Sequence, residues 1–410
     1  LAEYLAEAMR AIGLEVDLYD VLPNRPNVVG VLRGNGSGKS LMLNAHTDIV
    51  GVEGMENPFS AEIRDGCLYG RGAYDMKASI AATLAVAKAF IDSQFGPRII
   101  GRDPFDVEVI WEDLYNRIKD YGTTGMAISA ISGIDIALWD IIGKSCGKPI
   151  HKLIGGSYRS EVTPYATGLY FIDMNRLIEE AVEEALEFKG SGFTAIKMKI
   201  GLGDLKFDIK RVEAVRKAVG DEMRLMVDAN HCFTVPQAIQ IGRELEKLQI
   251  EWFEEPISPE DLDGYIEVTR ALDMAVAGGE NEFTRWGFRD IVTRKAMDIV
   301  QPDVCAAGGI SECRKIATLA SAHGVECVPH AWGSVIGVAA TLHFLAALPD
   351  QPPSFKGNPP LFEFEQCENP FRDLLSVDPI IQINGKVKVP TGPGLGIEIN
   401  RNILDQFRVA

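Results

Sequence analysis

The chain has little that would hold metal by sulfur, cross a bilayer or grip a polyanion. Its seven cysteines (67, 146, 232, 305, 313, 327 and 367) are odd in number and contain no CxxC pair, which argues against a disulfide framework or a zinc knuckle and for reduced thiols in a cytoplasmic protein. Basic residues are outnumbered, 41 Lys and Arg against 58 Asp and Glu, and a net charge of −17 with a pI near 4.9 argues against nucleic acid or an anionic membrane as a partner. The longest low-charge run, Val335 to Leu348, is too short to span a bilayer, and the N-terminus lacks the layout of a signal peptide. The first residue is Leu1 rather than Met, so a longer chain is expected. GNGSGKS (34 to 40) is not a phosphate loop, because the position that requires its leading glycine is Arg33; it reads as a hairpin turn.

What the chain does have is a series of strand-like segments that each end in a polar group: IKMK, VDAN, FEEP, GGE, QPD and PHAW. Asp228, Glu254 and Glu280 are spaced evenly, 26 residues apart, and Lys199, Asp303, His330 and Glu363 continue the series at similar intervals. Short apolar runs alternate with stretches of helical spacing such as FDIKRVEAVRKAV and QAIQIGRELEKL, and this period supplies the crossover that parallel strands need. Adding VTPYATG (162 to 168) and LFEFE (361 to 365) makes eight strand candidates. An eight-stranded β/α barrel is the economical architecture, with its active site where these polar residues fall, at the C-terminal ends of the strands. A doubly wound open sheet is the alternative, but its site sits at one switch point.

The residue types specify the chemistry. Asp228, Glu254 and Glu280, converging from adjacent strand ends, would offer hard oxygen ligands to Mg²⁺. Lys197 and Lys199 lie two apart on one strand, so they share a face about 6 to 7 Å from each other. Repulsion and desolvation would lower the pKa of at least one and supply an amine base. Alternate lysines also mark solvated strand faces, but the flanking Ile196, Met198 and Ile200 favour burial. Asp303 and His330 could form a dyad in which the carboxylate sets the tautomer and raises ring basicity. With Lys199 on the opposite side, two bases would address two faces of one carbon. Glu363, protonated, could donate a hydrogen bond to a substrate oxygen.

Taken together, these motifs resemble the enolase superfamily, and within it the mandelate racemase subgroup. The resemblance covers about residue 99 to the C-terminus. SGIDIALWDIIGK (132 to 144) resembles the end of that family's capping domain, and KIATLA, VPHAWG, FEFEQCENPFR and GPGLGIEIN are similar to segments of its acid-sugar dehydratases and cycloisomerases. The resemblance implies an enolase-like (β/α)7β barrel, one Mg²⁺ per barrel on Asp228, Glu254 and Glu280, and a small-molecule carboxylate substrate. It also implies a homo-oligomer and removal of the proton α to the carboxylate. On this likeness β-elimination from an acid sugar or its lactone follows, with Lys199 as first base, Lys197 as its partner and His330 as second base or acid. A racemase or epimerase is the alternative.

The first ninety or so residues differ. LMLNAHTDIV and GRGAYDMKASIAA resemble the M20 family of zinc-dependent amidohydrolases and peptidases, which would make His46 a metal ligand, Asp48 its orienting partner and Asp75 a bridging carboxylate. The likeness stops near residue 92, before the family's paired glutamates, so zinc binding and hydrolysis are not expected. The expected organisation is an M20-like α/β fragment over 1–92, a partial helical cap over 93–160, the barrel over 161–385, and a C-terminal segment over 386–410 packing back on the cap. The M20-like fragment takes the place of the strands that normally close over the barrel mouth. A catalytically silent fusion is therefore a reading from another class, and a residual zinc amidohydrolase a third.

Overall fold

The computed structural model describes residues 91–406 apart from 121, 172–173, 203 and 352–356, together with four strands nearer the N-terminus. The chain divides into two compact units, Leu1–Ala85 and Val86–Ala410. In the first, Glu15–Leu22 pairs antiparallel with Arg25–Val31, and Glu62–Arg64 with Cys67–Tyr69. His46, Asp48, Asp75 and the 34–40 turn lie outside the described residues.

The second unit is built on eight parallel strands: β1 (Pro164–Gly168), β2 (Ala195–Lys199), β3 (Arg224–Asp228), β4 (Ile250–Glu254), β5 (Ala275–Gly278), β6 (Ile299–Val300), β7 (Glu326–Cys327) and β8 (Phe362–Glu365). β8 pairs with β1, and the ladder then runs in chain order from β1 to β7. Each of the eight expected segments holds a strand or, for QPD and PHAW, follows one. Between β7 and β8 the connection is made by side chains instead: Ala331 N–H donates to Glu363 Oε2 at 3.1 Å, and Asn369 Nδ2 to the Gly333 carbonyl at 3.0 Å.

Alternation along the strands separates two cores. On β2, Ile196 and Met198 face the surrounding helices and join the main apolar cluster. Ala195 turns the other way, into a smaller cluster with Tyr165, Met226, Trp252, Ala277, Ile299, Val328 and Leu361. That second cluster fills the barrel interior, and Lys197 and Lys199 continue the same inward face. The apolar flanking residues thus bury the outer face of β2 while the lysines point inward.

Seven longer helices follow strands β1 to β7: α3 (Leu177–Gly190), α4 (Leu205–Val219), α5 (Val235–Lys247), α6 (Leu262–Ala271), α7 (Thr284–Thr293), α8 (Gly309–Ala322) and α9 (Val335–Ala347). Their starts are specified locally. Asp204 caps α4 through Lys206 N–H, Asp261 caps α6 through Gly264 N–H, and Thr234 with Gln237 forms a capping box on α5.

Ahead of the barrel, α1 (Val107–Ile118) and α2 (Met126–Cys146) share a core of Phe95, Ile110, Trp111, Leu114, Ile128 and Ile131. Among the described residues α2 is the one helix long and apolar enough to cross a membrane. Three of its side chains bond to the barrel: Ser132 Oγ accepts from Gly308 N–H at 2.9 Å, Asp135 from Ser311 N–H at 3.0 Å, and Trp139 Nε1 donates to Ser311 Oγ at 2.9 Å. The C-terminal segment meets the same region, where Ile150 N–H donates to the Gly394 carbonyl and Leu395 N–H to Asp140. Cys146, Cys232, Cys305, Cys313, Cys327 and Cys367 are free thiols.

Candidate active site

Strand register brings the chemical residues into one layer. Lys199 on β2 lies beside Asp228 on β3, which lies beside Glu254 on β4, and Lys197 lies beside Thr167 on β1. Glu280 follows β5 by two residues, Asp303 follows β6, His330 follows β7, and Glu363 sits in β8. Every candidate expected in this half of the chain reaches the same end of the barrel. Among the described residues, Asp228, Glu254 and Glu280 form the carboxylate cluster whose ligand atoms all lie within 4.8 Å of one another.

Two lysines and a histidine flank this triad. Lys199 Nζ is 2.5 Å from Asp228 Oδ2 and 2.7 Å from Asn230 Oδ1, at one end of the triad. His330 stands at the other end, with Nε2 3.5 Å from Glu280 and Nδ1 2.6 Å from Asp303 Oδ2. The expected dyad is therefore formed. Burial would lower the His330 pKa, but Glu363, Asp303 and Glu280 push it up to about 10, so the ring is an imidazolium at neutral pH.

One expectation is narrowed and one is corrected. Mutual repulsion does not govern Lys197. Burial would lower its pKa, yet Nζ pairs with Glu254 and lies 2.8 Å from Glu363 and 3.6 Å from Asp228, and these carboxylates hold it well above the ordinary lysine value. Lys197 is a buried cation. Glu363 is likewise not protonated. Burial would raise its pKa, but Lys197 and His330, with donors from Thr167 Oγ1 at 2.7 Å and Ala331 N–H, bring it down to about 2. It accepts hydrogen bonds and donates none.

The triad itself is only partly compensated. Lys197 and Lys199 hold Asp228 below the usual carboxylate range despite its burial. Burial and neighbouring carboxylates push Glu254 up to about 8 against the pull of Lys197, and burial raises Glu280. Asp228, Glu254 and Glu280 bring carboxylate oxygens within 4.8 Å of one another, and Lys197 reaches only the Asp228 and Glu254 members of the three. A divalent cation would offset the mutual repulsion of these carboxylates, and carboxylate oxygens are the ligands Mg²⁺ prefers. The residues present fit such an ion.

Several site residues escaped the sequence reading. Trp252 Nε1 and Gln301 Nε2 donate to Glu254 Oε2 at 2.9 and 2.8 Å, aiming that carboxylate. Glu255, the second glutamate of FEEP, is buried and accepts from Asn281 at 2.9 Å, with His231 Nδ1 3.1 Å away. Gln301 precedes Asp303 by two and so shares its face, which is a readable signal. Trp252 precedes Glu254 by two on the same strand and carries the same signal, whereas Thr167 carries none. Backbone strain also gathers here: Leu169, Asn230, His231, Glu255 and Thr284 have positive φ although none is glycine, and all follow barrel strands.

Fold and site together define a β/α-barrel protein with an acidic, lysine-flanked centre at the C-terminal ends of its strands. Residues 178–403 match the family described as enolase C-terminal domain-like, and the chain belongs to it. It is similar to the D-galactarolactone cycloisomerase of Agrobacterium fabrum, 46% identical over 311 residues that cover 76% of this chain and 82% of that one. The arabinonate dehydratase of Saccharolobus solfataricus is 36% identical over 374 residues, covering 89% and 95%. A solved racemase from Streptomyces coelicolor with bound magnesium superposes with a TM-score of 0.71 at 34% identity, covering 79% of this chain and 85% of that one. Residues 42–100 match the peptidase family M20/M25/M40.

Proposed function

We propose that the protein is a Mg²⁺-dependent lyase or isomerase that removes the proton α to the carboxylate of an acid sugar or its lactone and then eliminates the β oxygen. The observation that carries this is the placement of two proton-transfer groups at opposite ends of one carboxylate triad, Lys199 at Asp228 and His330 at Glu280. The relatives named for cycloisomerase and dehydratase activities support elimination over racemisation.

A single Mg²⁺ on Asp228, Glu254 and Glu280 would draw electron density from a substrate carboxylate and so acidify the adjacent C–H. Lys199, as the neutral amine, takes that proton. The C–H electron pair becomes the new α,β bond as the β oxygen departs, and His330, already an imidazolium, gives the leaving oxygen its proton. Lys197 holds Glu254 and Glu363 in place and offers a cation to the substrate carboxylate. Asp303 fixes the His330 ring. We assign the protein to the cytoplasm as a symmetric homo-oligomer, which light scattering on the purified protein tests.

The test is α-carbon exchange in D₂O with Mg²⁺ and D-galactarolactone, read by loss of the α-proton NMR signal. Exchange should stop with a chelator and in Lys199→Ala; exchange that persists in that variant removes Lys199 from the base role. The M20 match at 42–100 favours one second reading, a folded but silent barrel whose lid strands have been replaced. It predicts metal binding with no exchange on any aldarate or aldonolactone. M20-type activity would appear as zinc-dependent cleavage of an N-acyl amino acid that is lost in His46→Ala and Asp75→Ala.

A further inference from the structure

Just past β1, Tyr170 has a hydroxyl that is fully buried and, among the described residues, has no hydrogen-bond partner. A neutral phenol kept from water without a partner is costly, so such groups are few and call for an explanation. Its ring lies at the candidate centre. Lys199 Nζ is 5.8 Å from the ring centroid, and the Trp332 ring, two residues beyond His330, meets it edge-on at 6.2 Å. Tyr170 thus stands between the loop that carries one proton-transfer group and the strand that carries the other.

The position is rigid. The buried Arg211 guanidinium donates to the carbonyls of Leu169 at 2.6 Å, Tyr170 at 3.1 Å and Lys199 at 2.5 Å, so one cation ties the ends of β1 and β2 together. Leu169 is held at a φ of 55° immediately before the tyrosine. On the far side, Asn369 fastens the Trp332 loop through the Gly333 carbonyl. Burial, with the nearby Cys367 and Glu363, raises the phenol pKa, so the hydroxyl remains a donor across the working pH range. Trp332 itself is 43% exposed, an indole face open at the mouth of the barrel.

We propose that Tyr170 and Trp332 form the specificity wall of the site, with the Tyr170 hydroxyl donating to a hydroxyl of a polyhydroxylated acid while the indole covers its C–H face. The chemistry of the wall selects this ligand class. An apolar acid would leave the phenol unpartnered, whereas a sugar acid brings both oxygen acceptors and apolar C–H edges to it. The proposal rests on the acid-sugar reading above and deepens it.

The experiment is a two-way comparison of protein and substrate. Steady-state kcat/KM is measured for the wild type and Tyr170→Phe with Mg²⁺, on an aldarate and on its monodeoxy analogues. The variant should lose about five- to tenfold on the full substrate, the worth of one buried neutral hydrogen bond. It should equal the wild type on the one analogue that lacks the contacted hydroxyl, because that coupling vanishes when either partner is removed. A variant-to-wild-type ratio that stays constant across the panel overturns the proposal. Calorimetric binding of the same ligands to both Mg²⁺-loaded proteins reads the contact without turnover. If wild type exchanges no α proton, the reaction assignment fails, while a binding difference confined to one hydroxyl still supports the wall and its absence overturns it.

Discussion

His151 and His343 meet nitrogen to nitrogen, with their Nδ1 atoms 2.9 Å apart and their rings stacked at 5.1 Å. His343 Nε2 is 3.0 Å from the Leu395 carbonyl, which can only accept, so Nε2 carries a proton and Nδ1 is left to accept one from His151. His343 is then neutral, and burial lowers the pKa of both rings. The pair joins the segment after α2, helix α9 and the C-terminal segment at one buried point.

A pH dependence of stability follows. Burial lowers the His343 pKa from 6.5 to about 4, with the neighbouring His151 adding to the shift. The unfolded chain therefore takes up a proton near pH 6.5 that the fold refuses. Stability is complete above that pH and falls as the pH drops toward 4, by about 1.4 kcal/mol for each unit in that window. Urea unfolding at pH 7, 6 and 5 measures the slope, and His343→Gln should flatten it.

Lys197→Met should destabilise the barrel. The substitution removes a cation that is 1% exposed and leaves Glu254 and Glu363 buried beside each other. Breaking such a pair from one side costs about 3 kcal/mol or more. Thermal unfolding should show the loss, and Mg²⁺ should recover part of it.

Mg²⁺ should raise the melting temperature of the wild type, and a chelator should reverse the rise. An ion that binds only the folded state adds about 2.7 kcal/mol at a hundred times its Kd. Glu254→Gln removes one of the three clustered ligands and should abolish most of the shift. An equal shift in that variant would place the ion elsewhere.

Gly309→Ala tests how the cap and barrel are joined. Gly309 has a φ of 85°, and a Cβ there would lie 2.4 to 2.6 Å from the Asp135 side chain. Strain and collision together should cost about 2 to 3 kcal/mol. Asp135→Ala in the same chain should restore part of it in a thermal melt. Gly308 ends the loop that starts at Asp303 and Ser311 lies in the first turn of α8, so kcat should fall further than stability alone requires.

Sequence alone determined the eight strands, their order and the residues at their ends, because strand burial and parallel crossovers leave a regular apolar period, and a residue's place at a strand end follows from that period. It identified Lys197, Lys199, Asp228, Glu254, Glu280, Asp303, His330 and Glu363 as candidates for one centre. Only the tertiary structure decided their charge states. Lys197 is an anchored cation and Glu363 an anchored anion because each lies within about 3 Å of an opposite charge on another strand, and no spacing along the chain records a distance between strands. The same holds for the buried Tyr170 hydroxyl and the His151–His343 contact. Both depend on packing between residues far apart in sequence, and their consequences come from exclusion of water.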